Sequence, residues 1–375
     1  MTSAHECFSK NAALSNGVYK RYAELDGGSS EKIAATYVWV DPVFGYQPHS
    51  KTKILDKKPS KPSDCPEWDI AGPDLQEFLK NDHAPILEHI LKPVAIYKDP
   101  FLRGNNILVF CETFNTDGTP SSTNFRNSCK KAMDQVKKQK PWFGFEQEYF
   151  IVDVDGHPIG WPKNGVTKQP IGMSHSAAGA STVLGREIAD SHLRACLYCG
   201  LDIFGLNSEA ILSQWEYQLG PVESIEAADQ LYVSRFILQR VAEDFGLDVT
   251  MACKPVESAP YNFTTGCHCN FSTEDTRNPK TGKEAMKMAC ERLAPTHAEH
   301  LAKYDSKGGK DNVKRLSKEQ IERYTWGVGS RESSVRIPVR CYEKGYGYIE
   351  DRRPSGDADP YLVSEMLVRS ICLAK

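Results

Sequence analysis

The sequence predicts an α+β protein in which a small β-rich N-terminal domain precedes a larger domain mixing helices and strands. Three observations carry that expectation. The 375 residues, 40% apolar and 25% charged, suffice for one large domain or two with substantial cores. Up to about residue 120 the strongest apolar runs have strand character. After Thr119-Pro120, helical and strand periodicities alternate.

Residues 1–34 are polar and irregular, with Gly27-Gly28-Ser29-Ser30 as a flexible break, and read as an arm. Thr36–Val40 opens a strand. Loops rich in Pro and Lys follow around 57–66, Leu75–Leu91 is helix-compatible on either side of Pro85, and Asn106–Cys111 is a strong strand. A basic helix is predicted near 124–138, then a strand over Phe143–Val152, a helix over 186–199 ended by Gly200, and a strand over Gln214–Gly220. Ala227, Leu231, Leu238, Val241 and Phe245 mark one face of a long helix over 223–246. The expected division is an arm (1–34), a β-rich domain (35–120) and a larger α+β domain (121–375).

A formal net charge of −3, with both signs interspersed, leaves no footprint for nucleic acid or an anionic membrane. No stretch approaches 18 consecutive apolar residues, and the start lacks the pattern of a secretory signal. A soluble, cytoplasmic chain is expected. Its twelve cysteines are scattered, so reduced, buried thiols are expected rather than disulfides. Cys196-x-x-Cys199 and Cys267-His268-Cys269 are single half-sites, whereas structural zinc usually needs two at suitable spacing; the first falls in a helix as a plain core pair.

The chemistry lies in the strands. Period-two alternation sends Phe145, Gln147 and Tyr149 to one face and Glu146 and Glu148 together to the other. Two such carboxylates repel unless a cation sits between them or water reaches both. Trp215, Tyr217 and Leu219 likewise leave Glu216 facing away with Gln214 and Gln218, and Glu209 stands seven residues earlier. His268 sits in Gly266–Phe271, where glycine permits close backbone approach. Gly327–Pro338 and Tyr348–Pro354 are rich in arginine. Singly, these are a solvated acidic edge, a satisfied core histidine and solvated ion pairs. Jointly, five glutamates and a histidine suit Mg²⁺ or Mn²⁺, and neighbouring arginines suit a transferring phosphoryl group. Metal-assisted phosphoryl transfer is the implied chemistry. Neither G-x-x-x-x-G-K-[ST] nor a strand followed by G-x-G-x-x-G occurs, so no P-loop or dinucleotide fold is indicated.

Trp142–Tyr149, Gln214–Pro221, Arg336–Pro338 and Glu350–Ser355 are the segments by which the sequence resembles eukaryotic-type glutamine synthetase, from Tyr37–Asp41 to the C-terminus. The resemblance implies an N-terminal β-grasp domain and a larger catalytic domain with a curved antiparallel sheet. It also implies stacked rings, a decamer of two pentamers, with active sites between neighbouring subunits. Glu148, Glu209 and Glu216 would hold one divalent ion, and Glu146, His268 and Glu350 a second, nearer ATP. Arg315, Arg331 and Arg336 match arginines that bind the carboxylate of glutamate and the phosphates, and Arg352 matches one at the phosphoryl site. Trp142 and Tyr348 match aromatic residues near adenine, Ser272 a hydroxyl near the nucleotide, and Asn262 and Gly266 lie in the glutamate-binding segment before His268. The implied reaction joins L-glutamate and ammonium at the cost of ATP, through γ-glutamyl phosphate.

Three departures bear on the second half of that reaction. Ala71 stands where the family carries an Asp that binds and deprotonates ammonium in the neighbouring site, with Asp69 and Asp74 the nearest carboxylates. Between Arg315 and Arg331 the chain is about four residues shorter than the family and lacks its Gly-x-His-Glu-Thr flap; Glu319 and Glu322 are the nearby acids. Tyr261–Gly266 is bulkier than the family's Asn-Gly-Ala-Gly. Two further readings stay open: a catalytically impaired ring subunit, and a γ-glutamyl ligase for another amine.

Overall fold

The computed structural model describes residue 25 and residues 31–41, 47–73, 86–163, 165–260 and 263–374. Most of the expected arm, Asp74, residues 75–85 of the helix-compatible segment, and Asn262 lie outside them. The chain divides into two compact units. The first comprises the described residues up to Asn127 with Asp190–Leu201 and Tyr232–Asp248; the second comprises Ser128–Ala189, Asp202–Leu231 and Val249 onward.

In the first unit, β1 (Ile33–Asp41), β2 (Gln47–Leu55), β3 (Trp68–Pro73), β4 (Ile86–Lys98) and β5 (Ile107–Asn115) form one sheet in the order β2-β1-β5-β4-β3. β1 and β5 are parallel, and the other pairs are antiparallel. Alternation along β1 and β5 sends Ile33, Ala35, Tyr37, Ile107, Val109 and Cys111 into one buried cluster with Leu91 and Cys65. The Tyr37 hydroxyl, at the edge of this cluster, donates to the Pro66 carbonyl at 2.7 Å. The helix-compatible reading fails over residues 86–91. They belong to the 13-residue β4, because pairing with β3 on one side and β5 on the other outweighs helical propensity.

In the second unit, β6 (Trp142–Val152), β7 (Ile203–Ser208), β8 (Gln214–Glu223), β9 (Asp248–Thr250), β10 (Cys267–Ser272), β11 (Trp326–Val328), β12 (Val335–Ile337) and β13 (Ile349–Asp351) form an eight-stranded sheet. Its order is β11-β12-β13-β10-β6-β8-β7, with β9 also paired to β6. β11 and β12 are parallel, so this edge departs from the expected antiparallel sheet. One face is mostly apolar: Phe143, Phe145 and Tyr149 of β6, Trp215, Tyr217 and Leu219 of β8 and Phe271 of β10 are all buried. Gln147 shares that face and is completely buried, with its amide donating to the Gly356 carbonyl at 2.9 Å.

Helix α1 (Phe125–Gln135) and α2 (Arg186–Cys199) occur where the sequence predicts helices. Helix α3 (Glu226–Asp244) buries every residue from Ala227 to Leu238, more than the single stripe its periodicity suggested. Cys196 and Cys199 are buried free thiols with separate partners, His192 and the Lys98 carbonyl. Among the described residues no helix is long and apolar enough to cross a membrane.

Candidate active site

Strand register gathers the polar side chains on the face opposite the aromatic core. His268 on β10 lies directly across from Glu146 on β6, Glu350 on β13 across from Asn270 and Arg336, and Glu148 on β6 across from Glu216 on β8. Since side chains repeat every second residue, one register fixes the whole set.

Glu146, His268 and Glu350 offer ligand atoms that all lie within 4.8 Å of one another, and among the described residues they are the one such group of three. His268 Nδ1 is 3.4 Å from a carboxylate oxygen of each glutamate. It is buried and makes no hydrogen bond. A buried nitrogen left unpaired between two carboxylates is costly without a further partner. One imidazole and two carboxylates suit Mn²⁺ or Mg²⁺, so the residues present fit a divalent ion. The Asn270 amide donates to Glu146 at 2.8 Å. Although burial opposes ionisation, His268, Asn270 and Arg336 hold the Glu146 carboxyl down, to about 2. Glu350 is completely buried and shared by two guanidinium groups, Arg352 at 2.7 Å and Arg336 on its other oxygen.

The other expected set is looser. The carboxylates of Glu148, Glu209 and Glu216 act on one another electrostatically, but they do not converge as the first set does. Each is held by a side-chain amide: Gln214 donates to Glu148, Asn207 to Glu209 and Gln218 to Glu216. Burial, and then the neighbouring Glu148, Glu146 and Glu209, push the Glu216 carboxyl up to about 9. Burial likewise raises Glu148, which also accepts the Gly266 N–H at 2.8 Å. A Cβ at Gly266 would stand 2.9 Å from His268 Nε2 and 3.4 Å from an Arg315 guanidinium nitrogen, so a side chain there would press on the histidine.

Two cavities are lined by residues that the sequence singled out. One of about 410 Å³ is lined by Trp142, Glu146, Ser272 and Tyr348, which the sequence singled out, and by Phe204, Asn270, Arg277 and Tyr346, which it did not. Arg277 lies 3.8 Å over the Trp142 ring and donates to Ser272 Oγ at 2.8 Å. Asn270 was legible, because it shares the face of His268 two residues on; Arg277, on a turn, left no periodic signal. The other cavity, about 320 Å³ and polar, brings together Arg315, Arg331 and Arg352. Arg336 is not among its lining residues. Gln320 lines it, whereas Glu319 and Glu322 do not. Glu322 instead lies 3.7 Å from Lys318 on the exposed helix Lys318–Glu322. Ala71 and Asp69 lie on one exposed face of β3, an edge strand.

The family profile described as "Glutamine synthetase, catalytic domain" matches residues 123–297, which include β6, β7, β8 and β10. The chain is similar to glutamine synthetase 1, mitochondrial, of Drosophila melanogaster, with 42% identity over 97% of this chain and 90% of that protein. It is equally similar to glutamine synthetase of Rattus norvegicus, at 42% identity over 97% of this chain and 96% of the rat protein. A probable glutamine synthetase of Caenorhabditis elegans is 44% identical over 91% of this chain and 92% of its own length. With identity of this order running through both units and through the strands that gather the glutamates, the chain belongs to the glutamine synthetase family.

Proposed function

We propose that this chain ligates ammonia to L-glutamate at the expense of ATP, through γ-glutamyl phosphate, with Mg²⁺ or Mn²⁺ as cofactor. The observation that carries the reading is the unpaired His268 Nδ1, 3.4 Å from both Glu146 and Glu350, with Arg336 and Arg352 on the same carboxylate. Glu146, His268 and Glu350 would hold one ion, and Glu148, Glu209 and Glu216 another. Bound there, divalent ions offset the repulsion between a carboxylate nucleophile and polyphosphate.

The chain's own residues divide the remaining work. Arg315 and Arg331 bind the α-carboxylate of glutamate, and Arg336 and Arg352 hold the phosphoryl oxygens. Trp142, Tyr348 and Ser272 line the side that takes the nucleotide base and ribose. Burial of Arg315 is supported by its guanidinium donating to the Arg352 and Pro354 carbonyls at 2.6 and 3.1 Å, which fixes it before substrate arrives. Assembly into stacked rings belongs to the same reading, and light scattering of the purified chain tests it.

Purified chain, ATP, Mg²⁺ or Mn²⁺ and glutamate should release phosphate, with ammonium accelerating release and glutamine forming in equal amount. Phosphate release indifferent to ammonium, with no glutamine, would sink the ligase reading. A second reading, of a weakly active subunit, is favoured by one observation: neither Glu319 nor Glu322 lines the arginine cavity.

A further inference from the structure

Arg331 sits on the bend between β11 and β12, outside the register that pairs those strands. Two side chains hold the backbone there instead. Arg352 Nε donates to the Arg331 carbonyl at 3.2 Å, and the Gln320 amide donates to the next carbonyl, that of Glu332, at 3.0 Å. The Arg331 guanidinium itself is exposed and has no hydrogen-bond partner among the described residues, whereas those of Arg315 and Arg352 are engaged. Its aim into the cavity that it shares with them therefore depends on how its backbone is held.

Gln320 can serve as that hold because it is itself fixed. Its Oε1 accepts the Ser317 N–H at 2.9 Å and its own N–H donates to Ser317 Oγ at 3.2 Å, the reciprocal cap that opens the helix Lys318–Glu322. The Gln320 carbonyl lies 3.0 Å from His297 Nε2, and the other ring nitrogen, Nδ1, lies 3.2 Å from an Arg353 guanidinium nitrogen. A guanidinium can only donate, so Nδ1 accepts and the Nε2 proton goes to the Gln320 carbonyl. Arg353 is buried against Asp351 at 2.7 Å. A five-residue helix is too short to stand alone, and these contacts tie it to a buried ion pair at the wall of the cavity that Gln320, Arg331 and Arg353 all line. We propose that Gln320 is a positioning residue for glutamate: through the Glu332 carbonyl it fixes the bend that aims the free Arg331 guanidinium at the substrate carboxylate. A guanidinium on a loose bend would have to be ordered each time glutamate binds, and the clamp removes part of that cost. The assignment rests on the ligase reading above and adds to it the group that orients Arg331.

The test is steady-state kinetics on the full chain with each substrate varied in turn. Gln320→Met keeps the side chain's length and helix propensity but removes its amide. It should raise the KM for glutamate roughly tenfold, the worth of one good hydrogen bond, while the KM for ATP stays within about twofold. Ser317→Ala is the control, since it weakens the helix cap and leaves the amide on the Glu332 carbonyl. It should lower the denaturant midpoint without moving the glutamate KM. An unchanged glutamate KM in Gln320→Met, an equal rise for ATP, or the same rise in Ser317→Ala would overturn the assignment and leave the ligase reading standing. A wild-type chain whose phosphate release ignores glutamate would overturn both.

Discussion

Asn270 and Gly266 act on His268 and Glu146 through contact rather than through any atom of their own that a substrate need touch. The Asn270 amide fixes one Glu146 oxygen, so Asn270→Ala should weaken Mn²⁺ binding roughly 10–100-fold, the usual penalty for removing a partner of a ligand. Electron paramagnetic resonance of free Mn²⁺ reads this directly, without turnover. Gly266→Ala should be harsher for the site and mild for the fold. Its methyl group would press on His268 Nε2 and Cδ2, at 2.9 and 3.2 Å, and turn the ring away from the two glutamates. Unaltered Mn²⁺ binding by Gly266→Ala would contradict this account of the glycine. The paired glutamates 146 and 148, and Glu216, are readable from alternation alone. Arg315 and Arg331 are not, because they sit on irregular backbone where no period assigns a direction; only resemblance to a family selects them.

One loop shows how an element places the arginine that the strands do not. Asp305, buried, accepts N–H groups of Lys307 and Gly309 on one oxygen and of Asp311 and Asn312 on the other, all between 2.7 and 3.0 Å. Asn312, so fixed, donates to the Arg353 carbonyl at 2.7 Å and accepts from Arg315 Nε at 3.3 Å. Asp305→Ala strands four donors and should cost about 3 kcal/mol, measured as a lower denaturant midpoint, with a raised KM for glutamate as Arg315 loosens. Normal stability and KM would show the loop to hold itself without the carboxylate. Elements with strict alternation were legible in the sequence, and β6 and β8 lie where it places them. Residues 86–91 misled because Leu, Glu and His tolerate either state and the decision came from strands distant in sequence. The parallel pairing of β11 with β12 was equally invisible, since three-residue strands carry no period.

Stability as a whole should depend on pH through a histidine that takes no part in the proposed chemistry. His192 is buried beside Cys196 and the Ser234 carbonyl, and burial lowers its pKa from 6.5 to about 4. The folded chain keeps the ring neutral, while the unfolded chain protonates it below 6.5. Its contribution is complete above pH 6.5 and drains away as the pH falls toward 4, by about 1.4 kcal/mol per pH unit. His192→Gln should therefore show a shallower decline in denaturant midpoint between pH 7 and 5.5 than the wild type. Parallel declines would remove His192 as the source. The carboxylate of Glu350, already matched by Arg336 and Arg352, carries a different lesson about assembly of the loaded enzyme. A bare cation must win that carboxylate from two guanidinium groups, whereas one accompanied by polyphosphate supplies the anion to which they can turn. Ion and nucleotide bound there would be thermodynamically linked, each tightening the other by one and the same factor. Mn²⁺ titrations with and without a non-hydrolysable ATP analogue should give that factor, and its shrinkage in Arg352→Ala would identify the guanidinium as the coupler. With that linkage the chain would work as a logical AND: neither nucleotide alone nor metal alone would commit it.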